Sequence, residues 1–144
     1  MKKYSVITLF IALAVCVSQV VQAQGNKEAN KLAREGAEAS RNQDYDKGVE
    51  LLRKATALDR KYASDLAVAY QQRGFASARD QKFQEAIADF NEALKIKPNE
   101  SRIYEQRAAV EMKLRDYDKA LADYGEMIRE VLTHSQGEAS DGSN

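Results

Sequence analysis

The side chains able to carry chemistry are few and scattered along this chain. A nucleophile, a general base or a metal site needs titratable groups gathered in one place with shifted pKa values. The only histidine, His134, stands next to the polar C-terminal segment, and the only cysteine, Cys16, lies in an apolar N-terminal run. Asp44, Asp46, Asp116 and Asp118 come in two pairs, but each pair sits where a helix begins after a turn. There an acidic residue caps free N–H groups and complements the helix dipole, which is a structural task. No glycine-rich phosphate loop, paired-histidine motif or nucleophile elbow occurs. The sequence therefore predicts no catalytic residue, no metal site, no cofactor and no small-molecule substrate.

The first residues explain Cys16. Met1-Lys2-Lys3 gives a positive start, Tyr4 to Val21 carries no charge, and Val21-Gln22-Ala23 is a small-residue cleavage pattern before Gln24. That order of features predicts a bacterial-type secretory signal peptide over 1–23. The alternative is a retained inner-membrane anchor, since the run is nearly long enough to span a bilayer. Ser5, Thr8, Ser18 and Gln19 weaken a permanent span, and Val15 is too bulky for the lipoprotein processing that Leu13-Ala14-Val15-Cys16 faintly suggests. Membrane contact is thus expected only in transit, with a periplasmic or secreted destination. Cleavage removes Lys2 and Lys3 from 22 basic side chains while all 22 acids remain, a net of −2. No basic excess is left for a nucleic-acid partner. With Cys16 gone no disulfide forms, so packing alone must hold the fold.

The elements that position these residues repeat. Residues 44–59, 81–97 and 115–130 superimpose at offsets of 38 and then 34. An aromatic recurs as Tyr45, Phe83 and Tyr117, and a small residue three later as Gly48, Ala86 and Ala120. Val49, Ile87 and Leu121 follow, then Leu52, Phe90 and Tyr124, then Ala55, Ala93 and Met127. The same offsets align Leu32 with Tyr70 and Tyr104, and Gly36 with Gly74 and Ala108. Two helices per unit keeping one spacing is the mark of a repeat architecture. Small residues let the helices of a pair approach, and the rings fill the space beside them.

The period near 34, with an aromatic then Gly or Ala four later and Ala-x-x-x-aromatic-x-x-Ala in the second helix, resembles the tetratricopeptide repeat. Units fall at 29–62, 67–100 and 101–134, after a leader at 24–28 and before a polar tail at 135–144 that composition predicts to be disordered. The middle unit is closest to the pattern, and the first and third are degenerate. Four extra residues near Ala63 to Leu66 predict a longer helix, with Ser64 as its cap.

The resemblance implies an all-α, right-handed α-solenoid of three antiparallel helix pairs, preceded by the signal helix. It further implies a concave face, lined by the first helix of each unit, that grips a peptide or protein. Transferred to this chain, that face comprises Asn30, Ala33, Ala37 and Ser40; Val68, Gln71, Phe75, Ala78 and Arg79; and Arg102, Glu105, Ala109, Met112 and Lys113. A subclass of the family clamps chaperone C-terminal carboxylates through Lys and Asn. Those places here hold Ala33, Ala37, Gln72, Arg102 and Gln106, so that clamp is not expected. A second contact surface is expected where the third unit ends uncapped, at Leu121, Ile128, Val131 and Leu132, serving a homodimer or another partner. The function implied is an exported protein-interaction scaffold; the alternative is an accessory or regulatory subunit of an envelope enzyme or assembly complex.

Overall fold

The computed structural model describes residues 24–141, of which the side chains are described through Thr133. The signal-peptide reading of 1–23 lies outside those residues. The described backbone is helical throughout: α1 (24–41), α2 (Tyr45–Leu58), α3 (Ala63–Arg79), α4 (Phe83–Ile96), α5 (Ser101–Lys113) and α6 (Tyr117–Asp141), with a 3-10 turn at Arg60–Tyr62 between α2 and α3. Each helix packs on the next, and α3 also touches α5. The architecture is the expected all-α solenoid of antiparallel pairs.

Helix α4 shows how residue size sets this packing. Ala86, Phe90 and Ala93 are completely buried and Leu94 nearly so, on the stripe that spacings of three and four place on one face. A methyl group added at Gly74 of α3 would sit 3.0 Å from Phe90 Cε1 and 3.2 Å from the Ala86 carbonyl oxygen. Gly74 is therefore a point of close approach between α3 and α4, and the Phe90 ring fills the space alongside. Burying a ring of this size contributes roughly 1.5–3 kcal/mol. In the first pair Gly36 and Gly48 do the same work, each close to the other's carbonyl oxygen at 3.2 Å from an added Cβ.

The turns repeat as faithfully as the core. Gln43, Gln81 and Arg115 adopt left-handed φ values of 65°, 62° and 61°, and they are separated by the same 38 and 34 residues. At each, the N–H of that residue donates three residues back and the next N–H five back, as in Asp44 to Ala39 at 2.9 Å and Lys82 to Ser77 at 2.8 Å. This is a Schellman helix end built without glycine. Asp44 then caps α2 by accepting from the Lys47 N–H at 3.4 Å.

Three expectations are corrected. Residues 24–28 are not a separate leader but part of α1, which buries Ala29 completely. Ser64 does not cap α3: the helix begins one residue earlier, and Asp59 instead caps the 3-10 turn by accepting from the Lys61 N–H at 3.0 Å. The four extra residues do lengthen the helix, to 17 residues in α3 against 13 in α5. Finally, α6 runs 25 residues to Asp141, into the segment whose composition predicts disorder. No proline interrupts 135–141, and Gln136, Glu138 and Ala139 are good helix formers, so a helix already nucleated by packing propagates. Among the described residues, no helix is long and apolar enough to cross a membrane.

Candidate functional site

The first helices of units two and three lie side by side. The Gln71 side chain amide donates to Gln106 Oε1 at 2.7 Å, joining the middle of α3 to the middle of α5. Val68, Gln71, Phe75 and Arg79 recur at three- and four-residue steps on α3, as do Arg102, Glu105, Ala109 and Met112 on α5, so each set forms one stripe. Gln71 is half-buried by its bond, and the other seven are exposed. Phe75 leaves 57% of its surface in solvent, whereas Phe83 is half-buried and Phe90 fully covered. Val68 and Met112 add further exposed apolar area, bordered by the cations Arg79 and Arg102.

Toward unit one the stripe borders a groove of about 410 Å³ lined by Ala37, Ser40, Arg41, Asp65, Val68 and Gln72 among others. Here the transferred positions fit less well. Ala33 and Ser40 are buried, Ser40 against Gly48, and only Asn30 is fully open, with Ala37 half-buried. Glycine at 48 brings α2 against Ser40, and Ala33 joins the hydrophobic core. Asn30 Oδ1 is occupied too, accepting from the Tyr62 hydroxyl. The clamp positions also depart from a carboxylate receptor, since Gln106 is held by Gln71 and Arg102 is the one cation among them.

On the opposite side of α3 the sequence reading missed a second repeated feature. Arg73 donates from Nε and Nη2 to both oxygens of Asp89 at 2.9 and 2.7 Å, and Arg107 does the same to Asp123 at 2.7 and 2.6 Å. Tyr70 and Tyr104 lie beneath the two guanidinium groups at 5.8 and 5.7 Å. Donating to the Asp89 carboxylate raises the Arg73 pKa further above its ordinary range, and donating to Asp123 does the same for Arg107. The signal was present as Tyr-x-x-Arg at 70–73 and 104–107, followed by Asp89 and Asp123 at the same offset of 34. Unit one has Leu32, Glu35 and Leu51 there and lacks the clip. Beside the second clip Glu111 is buried, with Oε2 accepting no hydrogen bond among the described residues. Burial, then the Asp123 charge, pushes its pKa up against the opposing pull of Arg107. Among the described residues no group of three or more acidic, histidine or cysteine side chains could hold a metal. Three of the four acids of the turns serve as caps or ion pairs, Asp44 capping α2, Asp46 accepting from Arg73 at 3.0 Å and Asp116 from Lys119 at 2.5 Å, while Asp118 stands in the first turn of α6.

The exposed strip on α6 is present: Leu121, Ile128, Val131 and Leu132 all leave more than half their surface open.

A stack of antiparallel helix pairs with an open stripe of first-helix side chains defines a class of protein-interaction scaffolds. The tetratricopeptide repeat family model matches residues 67–100. Heat shock protein STI1 of Saccharomyces cerevisiae is 32% identical over 96 residues, 67% of this chain and 16% of that protein. Among solved structures, MamA superposes with a TM-score of 0.58 at 18% identity, covering 77% of this chain and 63% of that one. The TPR2B domain of yeast Sti1, solved in a complex with pHsp70, gives 0.53 at 25% identity over 81% of this chain and 90% of that one. The chain is a tetratricopeptide-repeat protein. It spans about a sixth of the length of the curated relatives it matches, 16% and 17%.

Proposed function

We propose that the chain is an exported binding module, without catalysis of its own, that takes an extended peptide or protein segment along the stripe from Val68 to Met112. The observation that carries this reading is Phe75, a ring 57% exposed in a fold that covers Phe90 completely and Phe83 in part. Covering the exposed part of this ring with a partner is worth roughly 1–2 kcal/mol, a contribution to anchoring a segment. Arg79 and Arg102 border the apolar area and favour an acidic flank on the ligand, while Gln71 and Gln106 offer backbone-type hydrogen bonds. The yeast Sti1 domain held with pHsp70 supports a peptide or protein as the class of ligand. Because the clamp cations are replaced here, apolar anchoring by Phe75 leads and carboxylate capture does not.

The N-terminal charge and cleavage pattern supports export to the bacterial envelope. Affinity capture from envelope extract tests both halves. Wild type should retain a defined partner that Phe75→Asp loses while its far-UV circular dichroism is unchanged, and the recovered chain should begin at Gln24. Equal retention by Phe75→Asp would refute the stripe as the binding face, and an intact Met1 on a cytosolic chain would refute export. Retention of an envelope enzyme, with its activity altered by this chain, would identify the accessory-subunit form of the same function.

A further inference from the structure

Glycine inside a helix lowers stability relative to alanine, so its retention needs a reason. In this chain Gly36, Gly48 and Gly74 have one: an added Cβ at each meets a packed neighbour within 3.2 Å or less, and each marks a close helix contact. Gly125 differs. It lies within α6 on the exposed side, and an added Cβ there meets nothing within 4 Å. Gly25, at the edge of the described residues, is the other open position. Leu121, Gly125, Ile128 and Leu132 recur at steps of four, three and four, so the glycine falls in the middle of the apolar strip. Leu121 exposes 73% and Ile128 53% of their surface. Thirty-four residues earlier the same positions are Ile87, Asn91, Leu94 and Pro98, of which Leu94 is buried and Ile87 half-buried while Asn91 and Pro98 stay exposed. Leu121 and Ile128 thus stand where an inner unit covers its apolar side chains, and glycine in place of Asn91 between them leaves room for another helix to approach closely.

We propose that a second copy of this chain covers the strip, with two α6 helices crossing antiparallel about a two-fold axis near Gly125. The far end of the stack does not complement it: the outer side of α1 presents Lys27, Lys31, Arg34, Glu35 and Glu38 to solvent. Head-to-tail stacking would set those charges on leucines and build open fibres, whereas an isologous pair meets apolar with apolar and closes. By helical spacing Asp118 and Arg129 share one flank of the strip on either side of Gly125, and Arg129 also meets Glu126 at 2.5 Å within the monomer. An antiparallel partner therefore brings Asp118 of each copy toward Arg129 of the other; a parallel one does not.

Sedimentation equilibrium of the purified chain over a concentration series tests this, with Gly125→Ala and Ile128→Glu alongside. Wild type should be a monomer–dimer system. Gly125→Ala should raise the dimer dissociation constant about ten-fold or more while its melting temperature at low concentration holds or rises, because the added methyl meets open space within the monomer. Ile128→Glu should be monomeric and folded. Dimers of equal affinity in Gly125→Ala would overturn the crossing point. Wild type remaining monomeric up to about 1 mM, or growing into open-ended oligomers, would overturn the second copy as the occupant.

Discussion

Cutting Asp89 back to Ala isolates the clip that recurs in units two and three. The carboxylate is 8% exposed and receives both Nε and Nη2 of Arg73, whose side chain is 27% exposed. Removing one partner of a fully buried pair costs about 3–5 kcal/mol, because the other charge is left without compensation. Arg73 is not fully buried, and its Nη1 keeps the exposed Asp46 at 3.0 Å. Both facts reduce the loss, to about 2–3 kcal/mol. An exposed pair serves as the control: Glu50 and Lys54 are both more than half exposed, and Glu50→Ala should leave the urea midpoint nearly unchanged. Urea unfolding followed by far-UV circular dichroism gives both numbers. Arg73→Met in the Asp89→Ala background should cost less than the two single changes added, since the apolar side chain leaves no stranded charge. Asp123→Ala should behave like Asp89→Ala. A loss below about 1 kcal/mol for Asp89→Ala, within the range of surface pairs, would refute the clip as a structural element.

Two further outcomes follow from the core and from Glu111. Ala86→Leu inserts bulk into a completely covered position beneath α3 and should lower stability by about 1–3 kcal/mol in urea melts. Glu111 carries a folded-state pKa above its ordinary 4.5, so the folded chain binds the proton more tightly than the unfolded one. Its contribution to stability is present below 4.5 and is lost as pH rises through the elevated value. Glu111→Gln should therefore stabilise the protein at neutral pH, make little difference below 4.5, and flatten the decline between, as read from melting temperature against pH.

What the sequence revealed depended on whether a residue's task repeats. Ala86, Phe90 and Ala93 could be placed in the core because size and spacing alone fix them, and the recurrence of Leu32, Tyr70 and Tyr104 tied each first helix to its second. Phe75 could be assigned to an open stripe, but not its degree of exposure, because a ring at that position serves equally between units. Transfer misplaces Ala33 and Ser40, since glycine at 48 draws α2 over Ser40 and Ala33 belongs to the core. The start of α3 depends on a 3-10 turn capped by Asp59, a local competition between neighbouring caps that composition does not rank. The Arg73 and Arg107 clips were legible at an offset of 34 and were passed over because charged residues on helices are mostly solvated faces. Glu111 carried no signal at all: its burial follows from the approach of α6, which only the three-dimensional arrangement supplies.

The account turns on the stripe led by Phe75 being the surface that meets a partner. A photocrosslinking amino acid placed at position 75 in the full chain, expressed in its own cells, tests this most directly, with position 50 on the exposed side of α2 as control. One dominant covalent adduct at position 75 that is absent at position 50, and that diminishes when Met112→Asp is added, is the result expected. Adducts of equal yield at both positions, or none at 75 while the chain is folded and exported, would contradict it.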